Sequence, residues 1–346
     1  MRQLRRPGYQ VPTMEENGSA GKRRLSDRSE YDRTGIVPKL FPDLWTRPDV
    51  KGLLLAMQGR ICAYCSVRSN GLDVEHFRPK GTIEEDEAHG GYWWLAYDCS
   101  NYFLGCAACN RCRKRNSFPL RPGATRCTFA TRETITAEER VLLDAAEDPV
   151  EEWLTIDWDD VNGRLIPDPG LVDTERARVE EAIELFGLNL DPVVRSERIE
   201  AYEQAVRAAA GQRWDDLQRS AMRHHPHSLA ARIVLNRLAP ERLPSADDET
   251  KDLVEMFWGE LRTLAREIRN LKARGKDPRP MDERQLQALC WALVVLRSDP
   301  PTADPAAVDD YLCELLERET TEVRTEIVTL FRRLPGALGT SGIMIV

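Results

Sequence analysis

"NYFLGCAACN", residues 101–110, ends in a Cys-x2-Cys pair, Cys106 and Cys109; a second pair of the same spacing, Cys62 and Cys65 in "CAYC", precedes it by 40 residues. Each pair can clamp one side of a tetrahedral ion through a tight knuckle, and four thiolates satisfy Zn²⁺ completely. A site closed in this way has no open coordination position. It predicts structural zinc, which supplies stability to a small unit poor in strands. Cys112 follows in "CNRC" and can substitute in the ligand set, whereas Cys99, Cys127, Cys290 and Cys313 read as ordinary small apolar residues.

Between the knuckles lies "DVEHFRPKG", residues 73–81. An acid beside a histidine, met alone, reads as a solvated turn. Bracketed by two zinc knuckles it reads differently, because the clamp draws the strand end at residue 76 towards the helix start near Asn110. Glu75, His76, Asn101 and Asn110 then form a group of one carboxylate, one imidazole and two amides, which suits a hard cation with a base beside it.

The 346 residues are 42% hydrophobic and 31% charged, the balance of a soluble globular chain. No apolar run approaches the ~18 residues of a membrane span and the start has no apolar signal region. The expectation is a cytoplasmic protein with no membrane partner, whose nine cysteines serve metal rather than disulfides. The net charge of −8 hides an asymmetry: residues 1–122 hold 20 Lys and Arg against 14 Asp and Glu, and residues 123–346 hold 29 against 43. Contact with a polyanion is therefore expected in the first third.

The pattern predicts four segments. Residues 1–47 read as a basic N-terminal arm, extended or partly disordered to about residue 34, whose first few residues can still dock. Residues 48–122 form the zinc unit, led by a short helix in "PDVKGLLLAMQGR". Residues 123–245 hold a hairpin turning at Asn162 and Gly163, then helices broken at "GLNLDP". Residues 246–346 form an acidic helical module with helices near 249–273, 281–297 and 306–333, expected to bind protein rather than nucleic acid. Tyr92, Trp93, Trp94 and Tyr97 can be read as a base-stacking platform, but aromatics so dense favour a small core. "RHHPHS", residues 223–228, reads as a solvated turn.

The sequence "CAYC", "VEHFRP" and "NYFLGCAACN" resembles the HNH endonucleases of the ββα-metal fold. "EHFRPKG", "GYWWLAYD", the "N-x-FPL" that closes the unit and "TERARVEEAIELFGLN" narrow the resemblance to the PtuB-like HNH nucleases of Septu and retron anti-phage defence systems. The resemblance is strong over residues 1–210 and most specific over 60–121.

It implies an α+β, mainly helical chain with a zinc-stabilised HNH unit and a helical C-terminal region. It also implies hydrolysis of phosphodiester bonds in DNA and a PtuA-like ATPase partner. His76 would be the general base, Glu75 and Asn110 would hold Mg²⁺ or Mn²⁺, and Asn101 would orient the loop and the histidine. Arg78, Lys80, Arg111, Lys114 and Arg115 would contact phosphates. Two departures stand out: Glu75 occupies a place where many relatives carry Asp, so that Asp73, on the same strand face, can share the cation, and Cys99 stands where a tryptophan is expected. The alternative is a zinc-stabilised nucleic-acid-binding or scaffold module without catalysis.

Overall fold

A computed structural model describes residues 1–6, 8–157, 163–298, 311, 312, 314–332 and 334. Among them the chain is mainly helical, with two small two-stranded sheets. It divides into two compact units. The first comprises Met1–Arg5, Ser26–Leu40 and Arg60–Pro244, and the second Arg6–Leu25, Phe41–Gly59 and Ser245–Val346.

In the second unit the long helix Ala246–Ala273 starts with a capping box, in which the Ser245 hydroxyl accepts from the Asp248 N–H and the Asp248 carboxylate accepts from the Ser245 N–H. It buries Leu253, Val254, Phe257, Trp258, Leu261, Ala265 and Ile268, a helical stripe in which most steps are of three or four residues. The helix Pro48–Gln58 packs on Pro280–Ser298. Gly52 permits the approach, since a Cβ there would lie 2.4 Å from the Trp291 Cβ and 2.7 Å from the Ala288 carbonyl oxygen.

That contact corrects the expected segments, for it groups residues 48–58 with the C-terminal helices rather than with the cysteine knuckles. Residues 1–47 are not an extended or disordered arm either, although the first few dock, as expected. Met1, Arg2, Leu4 and Val11 are buried, and Ser19–Thr34 is a helix. Its apolar residues are too few to announce it. Tyr31 supplies an anchor, with its ring 4.8 Å from that of Trp93 and 5.2 Å from that of Phe129.

The first unit carries the knuckles. Strand β1, Asp73–His76, pairs antiparallel with β2, Tyr102–Gly105, in the register Asp73 to Gly105 and His76 to Tyr102. A π-helical turn, Ala108–Lys114, follows β2. Tyr92, Trp93, Trp94 and Tyr97 are all buried, and the first three pack among Phe118, Phe129 and their own rings, so the four form core and no stacking platform. Strands β3, Leu154–Ile156, and β4, Leu165–Pro167, make the expected hairpin. Gly163 takes the left-handed φ of +56°, and Asn162 lies outside the described residues.

Helices Asp173–Leu185 and Pro192–Ala210 flank the predicted break. The second packs with Trp214–Ser220 and Ser228–Leu238 around Ala205, Ala208, Leu217, Ala231 and Leu235. In the C-terminal module the helices Ala246–Ala273 and Pro280–Ser298 match their predicted spans to within three residues. Of the third, residues 306–310, 313 and 333 lie outside the described residues, and a turn at 318–320 precedes Thr321–Arg332.

"RHHPHS" is the clearest correction among the loops, because His224 and His227 are buried. The His227 N–H donates to the Ser66 carbonyl at 3.3 Å, and its ring Nε2 lies 3.2 Å from a Glu197 carboxylate oxygen. Together with Arg68 and Glu200 they border a cavity of about 380 Å³. Burial, and then the Arg198 guanidinium, push the His227 imidazole down to about 3. Glu197 is 43% exposed and its attraction for a proton on the ring is screened, so burial prevails.

The unfolded chain takes up this proton near pH 6.5 while the folded chain does not. Stability therefore falls with falling pH, by about 1.4 kcal/mol per pH unit for one such group, between pH 6.5 and 3. Urea midpoints at pH 7 and pH 5 should show this slope, and it should shrink in His227→Gln.

Candidate metal knot and adjoining polar site

The first knuckle forms where Ile61 bridges to Arg68. The Cys62 N–H donates to the Val67 carbonyl at 3.0 Å, the Ser66 N–H donates back to Cys62 at 3.1 Å, and Ser66 takes a φ of +64°. The second begins as β2 ends: the Cys106 N–H reaches the Cys62 sulfur at 3.4 Å, tying the two knuckles together. The Cys62, Cys65, Cys106 and Cys109 sulfurs all lie within 4.8 Å of one another. Hydrogen bonds from the Cys109, Cys62 and Cys65 thiols hold Cys106 far below the ordinary thiol range, as a thiolate. This donor set fits a four-coordinate zinc ion. Cys112 is exposed and takes no part.

Beside the knot, Gly105 brings Glu75 and Asn110 together. A Cβ on Gly105 would stand 3.3 Å from the Asn110 Cβ and 3.4 Å from the Glu75 Cβ. The Glu75 carboxylate is buried, and burial raises its pKa against the opposing pull of Lys114. Its oxygen Oε1 lies 2.7 Å from the Lys114 ammonium and 3.5 Å from the Tyr64 hydroxyl.

His76 follows Glu75 on the strand and meets other partners, as alternation along a strand requires. Its ring is buried, with Nε2 3.1 Å from the Ala96 carbonyl oxygen and its centroid 4.9 Å from that of Tyr102. Burial, and then Lys80, hold the imidazole well below its ordinary range, so it is neutral at neutral pH. A neutral ring that donates Nε2–H to Ala96 keeps its basic lone pair on Nδ1. Lys114 ties the Glu75 carboxylate to the main chain of the next residue, since its Nζ also donates to the His76 carbonyl oxygen at 3.0 Å.

Asn101 is buried and grips the loop beyond the strand. Its amide oxygen accepts from the Arg78 N–H at 2.7 Å and its amide nitrogen donates to the Arg78 carbonyl at 2.9 Å. The Asn101 carbonyl accepts from the Phe77 N–H at 2.8 Å.

The five basic residues expected on phosphates separate into two groups. Lys114 is fully buried, and Arg78, 13% exposed, donates to the buried Glu138 at 3.1 Å. Both are corrected to internal ion pairs. Arg111 and Arg115 keep 67% and 62% of their side-chain surface and pair with Asp73 at 2.6 Å and Glu84 at 3.1 Å. Lys80 is half-buried and within electrostatic reach of Glu75.

Sequence reasoning missed Glu138, which also accepts from the Tyr92 hydroxyl and from the Cys127 N–H. Sixty residues separate it from Arg78, and nothing local marks it. Asp73, paired with Arg111, is half-exposed at the other end of β1 from His76.

No protein-family model matches the chain. The chain is similar to a PtuB-like Septu protein: it is 35% identical over 122 residues to Septu protein PtuB of Bacillus mycoides (strain KBAB4), an overlap that covers 33% of this chain. The matched stretch spans 41% of that relative, less than half of its length. Among the described residues no helix is long and apolar enough to cross a membrane.

Proposed function

We propose that the chain is an HNH endonuclease of the ββα-metal kind that hydrolyses phosphodiester bonds of DNA, and that it acts in the cytoplasm as the nuclease of a Septu-type anti-phage complex with a PtuA-like ATPase. The observation that carries this reading is the convergence at Gly105. Next to a four-cysteine knot, two strands and a helical turn bring the side chains of Glu75 and Asn110 to the same place over Gly105, with a neutral, oriented imidazole on the residue after Glu75.

The residues divide the work as follows. His76 accepts a proton from water at Nδ1, for which burial keeps the ring unprotonated. Asn101 fixes the peptide of Arg78 and with it the end of the strand that presents the imidazole. Arg111 and Arg115, being exposed, and Lys80 at the edge supply positive charge for the polyanion and set salt dependence more than sequence preference.

Glu75 and Asn110 offer hard oxygen donors that fit Mg²⁺ or Mn²⁺, on condition that Lys114 gives way. A divalent ion there would supply charge stabilisation at the phosphate and the leaving oxygen.

A second reading has one observation in its favour: a Glu75 paired with a buried lysine is what a non-catalytic, zinc-stabilised binding module would also show. Plasmid incubated with the protein and Mn²⁺, alone and with its ATPase neighbour, decides between them. Nuclease action predicts nicked or linear products from the native chain, and Glu75→Gln should lose cleavage at least 100-fold while keeping its zinc and its affinity for DNA. Equal cutting by both would remove Glu75 from the chemistry, and DNA binding with no cutting in any condition would favour the binding module.

A further inference from the structure

Lys114 touches the Glu75 carboxylate and the main chain of His76 together. It is fully buried, its ammonium stands 2.7 Å from Glu75 Oε1, and it donates to the His76 carbonyl at 3.0 Å. The π-helical turn accounts for its position. In that turn the Arg115 N–H closes on the Asn110 carbonyl five residues back, at 2.8 Å, which carries Lys114 inward while Arg111 and Arg115 remain at the surface. A lysine in this place is a cation already bound by the carboxylate on which the proposed function places a divalent ion. Two such charges on one buried carboxylate repel strongly where water is excluded.

We propose that Lys114 is the resident counter-cation of the site and competes with the divalent ion for Glu75, so that loading the ion and releasing the ammonium from Glu75 are one event. The inference rests on the reading of Glu75 and Asn110 as the cation ligands. The lysine stem is flexible and the ammonium a point charge, so the head can leave Oε1 without unfolding the turn, which its main-chain hydrogen bonds hold. In the absence of the ion Lys114 keeps Glu75 neutralised, and the protein is stable but unloaded. Anything that draws the turn Ala108–Lys114 away from β1, such as a docked partner or a DNA backbone on Arg111 and Arg115, would favour loading.

The test uses full-length, zinc-loaded protein and Mn²⁺ alone as the probe, read by the electron paramagnetic resonance signal of free Mn²⁺ and by the thermal shift that Mn²⁺ produces. Lys114→Met keeps the length and the apolar stem, and Lys114→Gln keeps a polar head in case the first variant folds poorly. At least a tenfold gain in Mn²⁺ affinity, and a larger Mn²⁺-dependent rise in melting temperature than the native chain shows, is expected in either variant. Affinities within threefold of native, or weaker, would overturn the competition.

Glu75→Gln and Asn110→Ala separate the two claims. If they abolish Mn²⁺ binding while the Lys114 variants leave it unchanged, only the competition fails. If they leave Mn²⁺ binding intact, the ion sits elsewhere and the cation site itself fails, with the competition.

Discussion

Cys106→Ser is expected to unfold the unit formed around Arg60–Pro244, and removal of zinc by a strong chelator is expected to do the same. Four sulfurs within 4.8 Å of one another repel one another once they are thiolates, as zinc ligands are, and only a bound ion then neutralises them. Structural zinc contributes on the order of 10 kcal/mol of apparent binding energy in small modules, comparable with the whole stability of a domain, about 5–15 kcal/mol. β1 and β2 are four residues each and cannot stand alone.

Loss of the knot frees the start of the π-helical turn and the strand end together. The expected result is one equivalent of zinc released, loss of near-ultraviolet circular dichroism from the aromatic core, and a melting temperature lowered by well over 10 °C. Cys112→Ser, at an exposed sulfur outside the cluster, should change neither zinc content nor melting. A Cys106→Ser protein that melts within a few degrees of the native one would show that the cluster does not hold the unit together.

His76→Ala carries the second large effect, and it should fall on catalysis with little effect on the fold. The Ala96 carbonyl that His76 contacts also accepts from the Tyr102 hydroxyl, so removing the ring leaves no orphaned acceptor there. Lys114 binds the His76 main-chain oxygen, which the substitution retains. A positioned general base contributes about 10²–10⁴-fold, and a drop of that size in the cleavage rate is expected with DNA binding and zinc content unchanged. A drop in DNA affinity with an unaltered rate for bound substrate would make His76 a binding residue.

The cysteine spacing made the knot legible, because two Cys-x2-Cys pairs admit few other uses in a chain without other disulfide signals. The acid-histidine pair and the two asparagines were legible for the same reason: the knot fixes where both ends of the segment between the pairs must go. Lys114 was not. In "RCRKR" it is one of four cations in five residues, and only the π-helical path, invisible in the spacing, turns that one towards Glu75. Arg78 deceived in the same way, since its partner Glu138 lies beyond the unit in which it was read.

The N-terminal segment looked like an arm because its buried residues, Met1, Leu4, Val11 and Met14 among them, are scattered, and the Leu4 N–H donates to the distant Ala145 carbonyl at 2.7 Å. The long C-terminal helices were legible from their apolar stripe. The association of Pro48–Gln58 with them was hidden, since it depends on Gly52 permitting close contact with a helix more than 200 residues away.

In the proposed function a cysteine knot presents His76 as a base to a phosphodiester beside Glu75 and Asn110. Chemical rescue tests it most directly. His76→Gly opens a buried space of the shape of the missing ring, and cleavage of plasmid DNA by zinc-replete His76→Gly, in the condition where the native chain cuts, is measured with and without added imidazole. Cleavage should fall by at least 100-fold and be partly restored by imidazole, at constant zinc content. Cleavage by His76→Gly at the native rate without imidazole would contradict that role for His76.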